Sequence, residues 1–280
     1  MACNSIRCNM DKDAITADIR MTLGADFNRE KAIVVVEGPD DIEFLNGKLS
    51  NNVDMYESFS GNEGVKEIVS KFSEKRVLGI CDKDYSAPDP TTNIIYYDYS
   101  CLEMMLVSNS GVFKSFVNNF YYGSETSENI LIKILTNLKW LSIFRKLNSE
   151  NSWGIKFKGV SIAAACVKPD LNISVDALLR KLTQINRDLI ADHREHLTLV
   201  SNEVRQNLDV NTYLNITQGH DFIDYFQKIA QESSPIRRSV NKDTLFSALC
   251  CAFRENDFKT TQFFNTLKNY SEVNNLQLVT

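Results

Sequence analysis

The sequence predicts an α/β fold in its N-terminal part, with a Rossmann-like, mostly parallel sheet, and a predominantly helical C-terminal half. Three short apolar runs predict buried strands, because a strand covered by helices on both faces carries few polar residues. Stretches of about ten residues with helical periodicity separate most of these runs, as in β–α–β units. The strands are predicted at Ala32–Val36, Val77–Cys81 and Asn93–Tyr97.

Helical spacing and helix-start residues predict the remaining elements. Pro39 suits the first position of a helix over 40–49, and apolar residues at helical spacing predict a helix over 61–72. A weaker strand candidate covers 52–59, and residues 154–170 read as irregular or short-stranded. Further helices are predicted over 100–106, 112–120, 130–147, 175–185, 189–208, 221–231, 244–253 and 258–270. We therefore expect a lead-in segment (1–30), an α/β domain (31–115) and a helical domain (116–280).

Composition is that of an ordinary globular protein. The chain has 280 residues, 43% hydrophobic and 24% charged, and no apolar run long enough to span a bilayer. The first ten residues lack the apolar core of a secretory signal, which predicts a cytoplasmic protein with no membrane partner. The seven cysteines are scattered without a C-x-x-C pair, so small buried side chains are expected rather than a zinc site.

The net charge of −5 does not favour binding to nucleic acid, which depends on Lys and Arg. Local basic clusters exist, and each is more often a solvated face than a binding surface. If the protein binds nucleic acid tightly, a partner or a second copy of the chain would supply part of the positive charge that attracts the phosphates. The clusters are Lys71, Lys75 and Arg76; Lys156 and Lys158; and Arg237, Arg238 and Lys242.

Four acidic residues follow the predicted strands. Glu37 comes directly after the first strand, and Asp82 directly after the second. Ligand sites of open parallel sheets lie at the carboxyl ends of strands. Asp84 lies two residues after Asp82 and projects to the same side if the strand geometry persists, while Asp41 lies on the first turn of the next helix. The four carboxylates are therefore expected to converge.

Converging carboxylates raise one another's pKa, and a hard divalent cation relieves this repulsion. Mg²⁺ or Mn²⁺ takes oxygen ligands and bridges to substrate phosphate. Taken singly, each acid is better explained as a helix cap or as a charge at a helix N-terminus. Taken together, their pattern favours a metal site.

The segments IVVVEGPDD (33–41) and VLGICDKDY (77–85) resemble the TOPRIM signature, which topoisomerases, primases and OLD-family nucleases share. The resemblance implies that Glu37 acts as general acid/base or metal ligand and that Asp82 and Asp84 coordinate magnesium. Asp41 resembles the acid that helps to hold a second metal in the nuclease branch. In IIYYDYSCLEMML (94–106), Glu103 looks like another metal-site acid, although a first-turn acid at the helix dipole explains it equally well.

The C-terminal half, with Gly219-His220-Asp221, is similar in layout to the stand-alone TOPRIM effector subunits of the PARIS anti-phage defence system. There is no ATPase domain in this chain, so the resemblance implies a separate ABC-type ATPase partner that holds the nuclease inactive. It also implies an RNA substrate, tRNA in particular, with DNA left open, and a homodimer in the active form.

The three histidines of the chain are weaker candidates. His220 opens a helix, where it is suited to protonating a leaving oxygen, contacting phosphate, or simply starting the helix. His193 and His196 share a helix face at a spacing compatible with metal, yet the surrounding ADHREH reads as solvated. No phosphate-binding loop or dinucleotide fingerprint is present, so ATP hydrolysis by this chain is not expected.

The leading hypothesis is a magnesium-dependent endonuclease that acts as a toxic effector. The alternative is a non-catalytic TOPRIM-fold regulatory or scaffold subunit of an ATPase complex. A primase-like polymerase is less favoured, because no zinc- or template-binding module accompanies the motifs.

Overall fold

A computed structural model of the chain describes residues 11–87, 89, 91–187, 194–234 and 240–279. The chain divides into two compact units. The first comprises residues 1–98 and 254–280, and the second comprises residues 99–253. This division differs from the consecutive domains expected from the sequence, because residues 254–280 return to the first unit.

The first unit is an α/β layer structure around a four-stranded sheet in which every strand pair is parallel. The strands run in the order β2-β1-β3-β4. This confirms the predicted α/β class with a parallel sheet. The elements of this unit are α1 Lys12–Ala25, β1 Ala32–Val36, α2 Pro39–Leu45, β2 Val53–Glu57, α3 Gly61–Ser70, β3 Val77–Cys81, β4 Ile94–Tyr96, α13 Glu255–Lys259 and α14 Gln262–Asn274.

Helices α1 and α3 share an apolar cluster with the sheet. Strands β1 and β3 are buried along their whole length, which explains why their sequences are wholly apolar. Helix α3 approaches the sheet closely at Gly79, where a Cβ atom would lie 2.5 Å from Val65 Cγ1. The cluster includes Ile15, Ile19, Leu23, Ile33, Val35, Val65, Ile68 and Val77.

An aromatic cluster joins the C-terminal helices to the sheet. The Tyr97 ring lies 4.8 Å from that of Phe263, and the Phe44 ring 6.2 Å from that of Phe258. The Asp98 carboxylate accepts a 2.8 Å hydrogen bond from the amide of Gln262, the first residue of α14. Residues 254–280 therefore complete the interior of the first unit.

The second unit is helical apart from a two-stranded antiparallel sheet. Phe113, Phe116 and Phe226 form part of its core, with the rings of Phe116 and Phe226 4.5 Å apart. Its elements are α4 Leu102–Ser108, α5 Ser110–Phe120, α6 Ser127–Glu150, α7 Ile162–Ala165, β5 Cys166–Val167, β6 Asn172–Ile173, α8 Val175–Ile185, α9 Arg194–Val204, α10 Val210–Ile216, α11 Gly219–Ser233 and α12 Lys242–Ala252.

Several helical segments differ from the sequence prediction, among them α7, which lies within residues 154–170, where no helix was expected. Helix α1 lies in the expected lead-in, and α10 was not predicted. The helix expected over 258–270 is interrupted, because Thr261 caps a new helix by accepting a 3.0 Å hydrogen bond from Phe264 N. Residues 189–193 of the helix expected over 189–208 lie outside the described part. No helix among the described residues has the length and apolar character needed to cross a membrane.

Candidate active site

The strand register brings Glu37 beside Asp82. Val36 pairs with Ile80 in the parallel ladder of β1 and β3, so the residues that follow both strands emerge at the same edge of the sheet. Glu37 Oε1 accepts a 2.8 Å hydrogen bond from the backbone N–H of Asp82. The expected meeting of these two strand ends is therefore present in the first unit.

Glu37 is a partly buried acid in a negative environment. Its pKa is raised to about 7, chiefly by burial and also by the charges of Asp41 and Asp84, while hydrogen bonds from the backbone of Asp82 and Asn62 act in the opposite direction. A carboxyl group with a pKa near neutrality can exchange a proton at physiological pH, which is the property that a general acid or base needs.

Asp41 has a well-defined structural role. Its Oδ1 accepts a 2.8 Å hydrogen bond from the Tyr97 hydroxyl, and its Oδ2 accepts a 3.0 Å bond from Gly38 N, at the start of α2. Burial raises its pKa, and these hydrogen bonds oppose the rise. The side chain is 8% exposed. These contacts favour the interpretation of Asp41 as a helix cap, while its charge still reaches Glu37.

Asp82 and Asp84 do not continue the strand. Strand β3 ends at Cys81, and Asp84 adopts a left-handed backbone conformation with φ 48°. The strand geometry that would have aligned the two acids therefore does not persist to Asp84. Asp84 nevertheless lies close enough to Glu37 for its charge to raise the pKa of that group. Asn62, on α3, donates a 2.9 Å hydrogen bond from its side-chain amide to the Asp82 carbonyl. This bond helps to hold the turn that follows β3.

The donor atoms at this edge fit a hard cation in type but are not gathered as in a finished metal site. All candidates are carboxylate oxygens, which Mg²⁺ and Mn²⁺ prefer, and a cation would relieve the repulsion acting on Glu37. No three of the acids Glu37, Asp41, Asp82 and Asp84, all within the described residues, place an oxygen each within 4.8 Å of one another. A cation held by three or more of these acids must draw their side chains inward, whereas one held by two acids and water need not.

Glu103 belongs to the second unit. It lies in the first turn of α4, as the sequence predicted, and its carboxyl group packs against Gly219 at the start of α11. A Cβ atom at residue 219 would overlap that carboxyl group. Its place at the beginnings of two helices supports the electrostatic interpretation, because helix N-termini attract negative charge.

His220 lies in the first turn of α11 beside a buried ion pair. The Arg145 guanidinium binds Asp221 through two hydrogen bonds, with Nε 2.9 Å from Oδ2, and a second nitrogen lies 3.3 Å from His220 Nε2. Asp221 is 4% exposed, whereas the side chain of His220 is 63% exposed. The imidazole is therefore an accessible group at the edge of a structural pair.

The other sequence candidates have partners of their own. The His196 ring stacks on Trp153 with centroids 4.0 Å apart, so it does not lie on a solvated face, and His193 lies outside the described residues. Arg76 pairs with Asp26 at 2.6 Å, and Lys71 with Asp13 at 3.3 Å, which neutralises much of the first basic cluster. Lys156 and Lys158 are exposed, Lys242 pairs with Asp224 at 2.7 Å, and Arg237 and Arg238 lie outside the described residues.

Sequence reasoning missed the groups that position the acids. Tyr97 and Asn62 contact Asp41 and the Asp82 carbonyl, and Arg145 holds Asp221. Tyr97 ends a predicted strand, and this gave a weak signal, since a buried tyrosine hydroxyl usually has a hydrogen-bond partner. Asn62 and Arg145 lie on helices without a local pattern, so only the tertiary structure identifies their roles.

The chain matches no protein-family model, and no curated protein matches it significantly. The family relationship drawn from the motifs around Glu37 and Asp82 therefore stays a prediction.

Proposed function

We propose that the protein is a TOPRIM-type, magnesium-dependent endonuclease whose reaction takes place at the carboxyl edge of the parallel sheet. The observation that carries the proposal is the contact between Glu37 and the backbone of Asp82, at the ends of neighbouring strands β1 and β3. Glu37 is the first residue of the motif E-G-x-x-D, and Asp82 is the first residue of the motif D-x-D.

Each acid has a proposed role. Glu37 takes a proton from the attacking water or returns one to the leaving oxygen, as its raised pKa allows. Asp82 and Asp84 hold the cation, and Asp41 supports them through its charge and its cap on α2. Bound Mg²⁺ or Mn²⁺ would polarise the scissile phosphate and supply the charge that stabilises the transition state.

The biological setting rests on the resemblance. It makes RNA, and tRNA in particular, the favoured substrate, with cleavage harming the host cell during phage infection. It also makes an ABC-type ATPase the inhibitory partner and a homodimer the active form. Glu103 and His220 belong to the second unit, and their roles in metal binding and catalysis stay predictions from the sequence.

The proposal is tested by incubating the chain, purified without a partner, with Mg²⁺ and a mixture of tRNA, single-stranded RNA and duplex DNA. We expect cleavage by the wild type and a loss of at least about 10²-fold for Glu37→Gln, since general acid–base catalysis contributes that much. Glu30→Gln, at an exposed position of the same unit, serves as the control and should cleave normally. Equal cleavage by Glu37→Gln and wild type, or no cleavage by the wild type, would overturn the proposal.

The alternative function is a non-catalytic regulatory or scaffold subunit with a TOPRIM-like fold. Two observations favour it: both oxygens of Asp41 accept hydrogen bonds from the protein, and the four acids are not drawn together around a common point. A scaffold would bind magnesium no better than its variants lacking Asp82 or Asp84. Calorimetric titration of the wild type and these variants with magnesium therefore separates the two functions.

A further inference from the structure

A cavity of about 680 Å³ lies in the first unit, beside the edge strand β4. Helix α3 forms one wall through Lys66 and Val69, and the segment that connects β3 to β4 forms another through Ser86, Asp89 and Thr91. Its volume lies within the range of about 300–1,000 Å³ that small-molecule sites occupy. The carboxylates discussed above are not part of its lining.

The topology explains why this space is open. Parallel neighbours such as β3 and β4 require a crossover connection, and in α/β proteins a helix usually provides it and covers the sheet. None of the described residues between Asp82 and Asn93 is helical; residues 88 and 90 lie outside the described part. The sheet face at β4 thus lacks the helix that would fill the space next to α3.

The lining combines aromatic rings with positive charge. Phe72 and Tyr96 contribute rings, and Lys66 Nζ lies 5.9 Å from the centre of the Tyr96 ring. Lys75 Nζ donates a 2.8 Å hydrogen bond to Asn93 Oδ1 within the same lining. One acid, Asp89, is also present, and it accepts hydrogen bonds from Thr91 N at 2.9 Å and from the Thr91 hydroxyl. Two lysines against one acid leave the cavity with a positive balance.

Helix α3 runs from the candidate active site to the wall of the cavity. This helix begins at Gly61, where a Cβ atom would lie 3.5 Å from Glu37 Oε2, and Lys66 follows about 7 Å further along the axis at a rise of about 1.5 Å per residue. The connection that starts at Asp82 forms the other wall. Both walls therefore originate at the acids.

We propose that this cavity binds one nucleotide, with the base against Tyr96 and Phe72 and the phosphate at Lys66 and Lys75. Aromatic side chains stack on bases irrespective of sequence, and lysines bind phosphate as point charges. Asp89 and the hydroxyl groups of the lining suit the polar edge of a base, whereas Asn93 is buried and bonded to Lys75 and to the carbonyl groups of Glu74 and Val77. The nucleotide is either free or part of a single strand; in the second case the inference rests on the proposed nuclease function.

Binding is measured by calorimetry in EDTA, so that no metal at the acids contributes. The probes are AMP, adenosine and inorganic phosphate, followed by displacement of AMP by a short single-stranded RNA. We expect AMP to bind more tightly than either of its parts, and Lys66→Gln and Tyr96→Leu each to weaken AMP roughly tenfold. Lys268→Gln, at a separate surface of α14, is the control and should bind AMP as the wild type does. Thermal unfolding verifies that each variant is folded.

Unchanged AMP affinity in both folded variants, or phosphate binding as tightly as AMP, would overturn the inference. Displacement of AMP by RNA identifies a strand as the source of the nucleotide, and binding of AMP without displacement identifies a free nucleotide. The two proposals fail separately. Loss of AMP binding in the variants with no cleavage by the wild type removes the nuclease alone, whereas cleavage that depends on Glu37 with unaltered AMP binding removes the nucleotide cavity alone.

Discussion

The hydroxyl group of Tyr97 donates a 2.8 Å hydrogen bond to Asp41, and both side chains are buried. The bond stabilises a carboxylate whose pKa burial raises, and it opposes that rise. It also connects the end of the sheet with the start of α2, because the other oxygen of Asp41 receives the Gly38 N–H. The acid therefore depends on Tyr97 for its geometry and its ionisation.

Replacing Tyr97 by Phe should lower the free energy of unfolding by about 1–3 kcal/mol, because a buried acceptor loses its donor. The pKa of Asp41 should rise further, so the loss is larger at pH 8, where the carboxylate must be charged, than at pH 5. Urea denaturation at both pH values measures this. Tyr270→Phe is the matched control: its hydroxyl bonds Lys75 O at an exposed position and its removal should cost less. Equal losses for the two variants would contradict the prediction.

Glu37→Gln should stabilise the metal-free protein at alkaline pH. The folded pKa, about 7, lies above the ordinary value of 4.5, so the stability that protonated Glu37 contributes is fully present below pH 4.5 and is lost as the pH rises through 7. At pH 8 the Gln variant should exceed the wild type by about 1–2 kcal/mol, less than the full shift implies because solvent screens a partly exposed group. Denaturation in EDTA at pH 4.5 and 8 tests this, with Glu30→Gln showing no such pH-dependent gain.

Magnesium binding should depend on the acids of the D-x-D pair. Calorimetric titration of the wild type should show binding, and Asp82→Asn or Asp84→Asn should weaken it by at least the roughly tenfold that the loss of an outer-shell partner costs. Bound magnesium should also raise the melting temperature of the wild type by mass action. An Asp82→Asn protein that binds magnesium as tightly as the wild type would leave the scaffold function as the better account.

Gly219→Ala should destabilise the second unit, because the new Cβ would overlap the Glu103 carboxyl group. We expect a loss of about 1–3 kcal/mol, as for overpacking in general. In a Glu103→Ala background the same substitution should be almost neutral, since the obstructing group is absent. A double-mutant cycle by urea denaturation measures this coupling. Additive effects of the two substitutions would show that the contact does not limit residue 219.

The strands and the meeting of two acids could be predicted because both follow from local pattern. Ala32–Val36 and Val77–Cys81 are wholly apolar, and the observed strands have these same bounds. Once two parallel strands are neighbours, the residues after them must emerge at one edge of the sheet. The proximity of Glu37 and Asp82 could therefore be predicted from the sequence.

Other features depend on contacts that local pattern does not encode. The left-handed backbone conformation at Asp84 changes the direction of its side chain, and the residues D-K-D do not predict that conformation. Helix α1 has local signals, since Asp11 caps it and Ile15 and Ile19 are four residues apart. They are weak signals, because the segment is otherwise polar and shows only one narrow apolar face. The return of residues 254–280 to the first unit is a long-range event, visible only through contacts such as that between Tyr97 and Phe263.

That return has a consequence during translation. The ribosome releases residues 254–280 only after the whole second unit has been synthesised. Tyr97 and Phe44 can therefore pack against the rings of Phe263 and Phe258 only at the end of translation. Until then the nascent first unit lacks part of the interior that holds Asp41 in place. Under the proposed function, this order of synthesis would delay the onset of nuclease activity and leave time for the proposed inhibitory partner to bind.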